Sequence, residues 1–210
     1  MPKSLPSGFI RHTLKILSLH LLFLSTEILS GQSTGLPISV SIFNESTAIP
    51  FTRFLTFPVH PGLQVGTEFP WSASEHTRLF QTANISYFYH QYLTQGIGLN
   101  SELGFEYRTR SGFASEALFG IGYMHTFATA TEYTWTQGHY EIRGDKGNAR
   151  IYPSLTLGIG YYLNPEITTS PEIFFKYQAW IEYPYSPDFI PVMTHINFHV
   201  GFKTYLQSKS

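Results

Sequence analysis

The stretch Arg150-Ile151-Tyr152-Pro153-Ser154-Leu155-Thr156-Leu157-Gly158-Ile159-Gly160-Tyr161-Tyr162-Leu163 alternates in twos from end to end. Ile151, Pro153, Leu155, Leu157, Ile159, Tyr161 and Leu163 fall on one side. Arg150, Tyr152, Ser154, Thr156, Gly158, Gly160 and Tyr162 fall on the other. Successive side chains of a β-strand point to opposite faces, so this period describes a strand with one apolar and one polar face.

The pattern repeats outward along the chain. Over 172–183, Ile173, Phe175, Tyr177, Ala179, Ile181 and Tyr183 oppose Glu172, Lys176, Gln178, Trp180 and Glu182. Over 97–108, Ile97, Leu99, Leu103, Phe105 and Tyr107 oppose Gly98, Asn100, Glu102, Gly104, Glu106 and Arg108. Segments 63–69, 78–90, 113–126 and 194–206 do the same, and Ile38, Val40 and Ile42 against Ser39 and Ser41 make a weaker first member. Clusters of Gly, Pro, Asn and Ser separate the runs, and no 3.6-residue periodicity occurs after residue 31. The expectation is eight antiparallel strands.

Alternation does not say which face is inside. A lipocalin-like soluble barrel buries its apolar face, whereas a membrane barrel turns that face to lipid. Three features favour the membrane. Gly66, Gly98, Gly104, Gly120, Gly122, Gly158, Gly160 and Gly201 lie on the polar face, as a crowded small lumen requires. That face also lacks the Lys and Glu density of a solvated sheet. Trp71, Tyr87, Tyr89, Tyr107, Tyr161 and Tyr183 stand near strand ends on the apolar face, as interfacial girdles do. The fold class is therefore all-β, an antiparallel up-and-down transmembrane β-barrel. With eight strands the termini share one side, Thr109–Gly112 and Asn164–Pro171 are short turns there, and the long unstructured stretch 128–149 points outward.

Composition sets the outer bounds. The 210 residues carry only 13% charged but 17% aromatic side chains, with a net charge of −1. A nucleic-acid surface needs clustered cation excess, and disorder needs few aromatics, so neither class applies. Without cysteine there is no disulfide scaffold, thiol nucleophile or cysteine-bound zinc. Lys3, Arg11 and Lys15 precede the apolar run Ile16–Ser25, and Ser30-Gly31 supplies a small-residue exit. That order is a secretory signal peptide over 1–31, leaving 32–210 as the barrel domain.

The ending His199-Val200-Gly201-Phe202-Lys203-Thr204-Tyr205-Leu206 is similar to the barrel-insertion signal, with Thr204 at one of its apolar positions. Together with the leader and the eight alternating runs, it resembles the small OmpA/OmpX-type outer-membrane barrels of Gram-negative bacteria. Segments 60–69 (His-Pro-Gly-Leu-Gln-Val-Gly-Thr-Glu-Phe) and 182–187 (Glu-Tyr-Pro-Tyr-Ser-Pro) look like those of outer-membrane β-barrel domain proteins without assigned activity. The resemblance implies an outer-membrane location, contact with outer-membrane lipid and lipopolysaccharide, and passage through the barrel-assembly machinery.

Chemistry is sparser. Glu68, Arg78, Glu102, Glu106, Arg108, Glu116, Lys176, Glu182 and Lys203 all fall on the inward face. Charges there must pair, because a lone buried ion costs several kcal/mol. The expected result is a polar plug, with a gated or ligand-binding lumen as the sharper reading. Nine histidines raise the question of metal. His195 and His199, four apart on one strand, are separated by about 13 Å and cannot share an ion, so neither a metal site nor a cofactor is expected.

Some small barrels are lipid hydrolases with a Ser/His pair on the outer wall. Here Phe127 stands two residues after His125 where that serine would be, and Ser115 is ten residues away. No nucleophile elbow, phosphate loop or dinucleotide fingerprint occurs. Finally, the apolar run Ile49–Val59 is expected to tuck into the barrel mouth or to dock a partner or lipid, and the aromatic, charged stretch Glu132–Arg150 suits adhesion or recognition, so an extracellular or envelope protein partner is expected at loops 44–61 and 128–149. The expected role is structural or surface-interacting, followed by a small-solute or lipid-binding barrel and, third, an outer-wall lipid hydrolase.

Overall fold

A computed structural model of the chain describes residues 35–131, 133–142, 144–186 and 189–206, so the signal-peptide segment lies outside the described residues. Eight long strands close on themselves: β1 (Leu36–Thr47), β2 (Pro61–Ala73), β3 (Thr77–Tyr89), β4 (Thr94–Arg108), β5 (Phe113–Ala128), β8 (Asn148–Tyr162), β9 (Glu172–Glu182) and β10 (Met193–Leu206). Between β5 and β8, β6 (Tyr133–Thr136) and β7 (His139–Ile142) form a separate hairpin. The barrel order is β1-β10-β9-β8-β5-β4-β3-β2, every pairing antiparallel, with Ile38 opposite both Thr204 and Thr67 where first and last strands meet. Closure pairs the backbone all round, which is what a membrane demands of strands.

The faces divide as the period of two requires. Ile85, Leu99, Phe119, Ile121, Leu157 and Ile159 are exposed on the outer wall, while Glu102, Thr156, Gln178 and Asn197 are buried inside. The inward glycines make room for larger neighbours. A Cβ on Gly158 would run into the Glu116 carboxylate, and one on Gly160 into that of Glu172.

Several expectations need correction. The first strand extends beyond Ile42 to Thr47, which brings Phe43 and Glu45 onto the inward face with Ser41. The second runs past Phe69 to Ala73 through a register shift between Pro70 and Ser72. Proline cannot donate to the ladder, and the bulge accommodates it while leaving Trp71 exposed on the outside. The stretch 128–149 is not unstructured, because β6 and β7 pair across Gln137-Gly138, whose positive φ values of 49° and 90° suit a tight primed turn.

The loop between β1 and β2 departs furthest. It does not enter the mouth; it lies down the outer wall. The Tyr177 hydroxyl, at mid-height on β9, accepts the Phe51 N–H (2.8 Å) and donates to the Arg53 carbonyl (3.2 Å). The rings of Phe51 and Phe54 each sit 5.3 Å from the Tyr177 ring. Under this cover Tyr177, Ala179 and Ile196 are buried although their strands point them outward. The loop's own Phe57 remains 86% exposed.

Candidate functional site

All nine sequence-predicted charges lie on the lumen side, but in different company. At the end bearing the short turns, Arg78 on β3 bridges Glu68 on β2 (2.6 Å) and Glu106 on β4 (2.8 Å). Lys203 on β10 reaches Glu172 at 2.5 Å, Glu68 at 3.4 Å and Glu106 at 3.8 Å. The Tyr162 hydroxyl donates to Glu106 at 2.9 Å, and Lys203 donates to that hydroxyl at 3.4 Å. Lys176 on β9 pairs with Glu116 on β5 at 2.8 Å. Four of the nine (Glu68, Arg78, Glu106 and Lys203) thus interlock with Glu172, and Lys176 and Glu116 form a pair of their own.

Arg108 and Glu102 do not follow the rule that each charge finds an opposite charge. Arg108 lies over the Tyr162 ring (3.9 Å from its centroid) and donates to the carbonyls of Pro165 (2.6 Å) and Ile167 (3.3 Å), so it ties down the turn between β8 and β9. Glu102, at mid-lumen, is held by neutral donors: Ser154 (3.1 Å), Thr156 (2.7 Å) and Gln178 (3.2 Å) on one oxygen, Asn84 (3.4 Å) on the other. A carboxylate is satisfied by hydrogen bonds as well as by ions, and strand register decides which is at hand.

Above Glu102 the lumen turns aromatic and then ionic again. Trp180 donates to Asn197 (3.1 Å), which donates to Gln178 (2.9 Å), and Phe43, Phe88, Met124 and Tyr152 pack with Trp180 in one buried cluster. His195 stacks on Trp180 with centroids 4.0 Å apart. Its ring nitrogens face Glu45 (2.7 Å) and Glu182 (3.1 Å), and Glu182 is also bridged by Arg150 at 2.9 Å. Arg150 in addition donates to the Pro184 carbonyl. His199, in contrast, meets Ser41 (3.1 Å) and stacks on Phe43. Among the described residues the two histidines have no common partner.

Glu45, Arg150, Glu172 and His195 were not among the nine. Arg150 and Glu172 carried the inward parity in plain sight. Glu45 lies beyond the alternating run 38–42, and the spacing of His195 and His199 says nothing of the acids that face His195 from other strands. Near the mouth, His90 in the loop beyond β3 stacks on His60, which precedes β2, with centroids 3.5 Å apart. Burial pushes the His90 imidazole below its ordinary pKa; Glu45 pulls the other way, and His60 and His195 add to the depression.

On the outer wall, His125 accepts from the Tyr123 hydroxyl (3.1 Å) and donates to the Lys146 carbonyl (3.2 Å). Among the described residues no serine bonds to it, and Ser115 lies ten residues down the same strand, about 33 Å away.

No protein-family model matches the chain, and no curated protein matches it. Solved structures do. Neisserial surface protein A superposes with a TM-score of 0.52 at 7% identity, covering 83% of this chain and 98% of that one. The outer membrane enzyme PagL gives 0.47 at 9% identity, covering 81% and 99%. Ail, the attachment invasion locus protein of Yersinia pestis, gives 0.47 at 11% identity, covering 83% and 100%. At such identities the likeness concerns architecture alone. The chain has the fold of the small eight-stranded outer-membrane β-barrels.

Proposed function

We propose that the protein is an integral wall component of a Gram-negative outer membrane, sealed along its lumen and acting through its outward loops. One observation carries the reading: the ion-paired cluster of Arg78, Lys203, Glu68, Glu106 and Glu172 crosses the interior from β2, β3, β4, β9 and β10. Eight strands leave an interior just wide enough for side chains, and here the side chains bond to one another across it. Reconstituted in planar bilayers, the protein should give no unit conductance that scales with the amount added. Reproducible steps from the wild-type chain would overturn the sealed lumen.

The role left to a sealed barrel lies at its surfaces. The outer wall meets lipid and lipopolysaccharide. The hairpin β6–β7, with Tyr133, Trp135 and Tyr140 exposed, offers an envelope or extracellular protein an aromatic face of the kind enriched at interfaces. A small-solute reading has one feature in its favour. A hollow of about 640 Å³ opens between the loops, lined by Asp145, Lys146, Arg150 and Pro184 among others. Mass spectrometry of protein extracted in mild detergent decides between the two: a bound small molecule supports the hollow, an empty protein the wall.

A further inference from the structure

We propose that Glu45, His60 and His90 form a binding site for one divalent transition-metal ion at the outer mouth of the barrel. The three come from different places: Glu45 from the end of β1, His60 from the residue before β2, His90 from the residue after β3. Their nearest carboxylate and imidazole atoms all lie within 4.8 Å of one another. All three side chains are withdrawn from solvent, Glu45 being 1% exposed and His60 and His90 each 8%.

Two further observations point at a ligand. Glu45 Oε2 and His60 Nε2 are buried without a hydrogen-bond partner among the described residues. Buried polar atoms are ordinarily paired, and two orphans of acceptor character facing one space are what an ion satisfies. The tautomer is also set correctly. His60 Nδ1 lies 3.0 Å from the Glu45 carbonyl and donates to it, which leaves the lone pair on Nε2 free for coordination.

The surroundings brace the ligands as metal sites require. The free Glu45 oxygen is the one that His195 does not hold, and the chain Glu45–His195–Glu182–Arg150 fixes that carboxylate from behind at 2.7, 3.1 and 2.9 Å. Outer-shell partners of this kind orient ligands and tune their affinity. The backbone is pinned too. Glu45 N–H donates to the His60 carbonyl (2.9 Å), His60 N–H to Asn44 Oδ1 (2.7 Å), and His90 N–H to the Thr94 carbonyl (2.9 Å). The ring of His90 is held more loosely, by a single 3.3 Å bond from the Tyr92 N–H to Nδ1. To coordinate, it must give up that bond and turn out of its stack on His60, since donors about 2.1 Å from a metal sit roughly 3.4 Å apart in a tetrahedral site. Two imidazoles and one carboxylate suit zinc or iron(II) and leave a position open for water.

The test uses untagged full-length protein folded in detergent, stripped with chelator and titrated with zinc chloride, then separately with cobalt(II) as a spectroscopic reporter. The expected result is one equivalent bound and visible cobalt bands of a four- or five-coordinate nitrogen/oxygen site. His60→Gln and His90→Gln should each weaken binding at least tenfold while the heat-shifted gel band persists, and His139→Gln, in the exposed hairpin, should change nothing. Wild-type protein that takes up no zinc, or variants at 60 and 90 that bind as the wild type does, would overturn the site. Where a variant loses the folded band, the wild-type cobalt spectrum decides alone: an octahedral, water-like spectrum overturns it.

Discussion

At the scale of single residues, the lumen uses two ways of burying a carboxylate, and they predict different sensitivities. Glu68, Glu106 and Glu172 depend on Lys203, whose ammonium lies within 3.8 Å of all three. Lys203→Met leaves Glu172 without a cation, and Glu68 and Glu106 with Arg78 alone, and breaking a buried pair in this way costs about 3–5 kcal/mol. Glu102→Gln, by contrast, keeps an oxygen for Ser154, Thr156 and Gln178 and gives up only the 3.4 Å bond from Asn84, so about 0.5–1.5 kcal/mol is expected. Urea unfolding in lipid vesicles measures both. Equal midpoints for the two variants would show that the cluster around Lys203 does not act as a unit. Parity along each strand predicted which side these residues face, because a period of two leaves no freedom there. It could not predict their partners, which depend on register: Lys203 meets Glu68 across β1, a strand that carries neither of them. The same limit hid the site of Glu45, His60 and His90. Its members are 15 and 30 residues apart, and only barrel closure with two loop ends brings them together.

At the scale of elements, strands were legible and loops were not. Each strand announces itself over a dozen or so residues, whereas Thr136-Gln137-Gly138-His139 marks the outer hairpin with only a few, and four-residue strands are too short for alternation to stand out. The apolar run 49–59 was visible as an anomaly, but its destination was not. Its cover over Tyr177 follows from a physical demand: backbone lying along an apolar wall must find hydrogen bonds, and Tyr177 supplies an acceptor for Phe51 and a donor for Arg53. Tyr177→Phe removes both. Losing two part-buried hydrogen bonds costs about 0.5–1.5 kcal/mol each, enough to loosen the exposed loop without opening the closed sheet. Trypsin should then cut after Arg53 several-fold faster in the variant, with the barrel's folded gel band unchanged. Equal cutting rates would mean that ring packing against Phe51 and Phe54 holds the loop by itself.

At the scale of the whole molecule, the barrel has two unlike ends, and the difference predicts its orientation. One end closes with the links at 74–76, 109–112 and 163–171, the last clamped by Arg108; the other carries the loop over the wall, the β6–β7 hairpin and the link from β9 to β10, along with one short link at 90–93. Bacterial barrels keep short turns on the periplasmic side and long loops outside, because each hairpin's outer end crosses the membrane while its inner turn stays behind. The chain has no cysteine, so a single one introduced at will reports its own location. Gln137→Cys, in the exposed turn of the hairpin, should react with a membrane-impermeant maleimide on intact cells. Ser111→Cys, in the turn between β4 and β5, should react only after the outer membrane is breached. The reverse pattern would place the metal ligands, Arg150 and the hairpin in the periplasm, and would move any partner of those loops from outside the cell to the envelope interior.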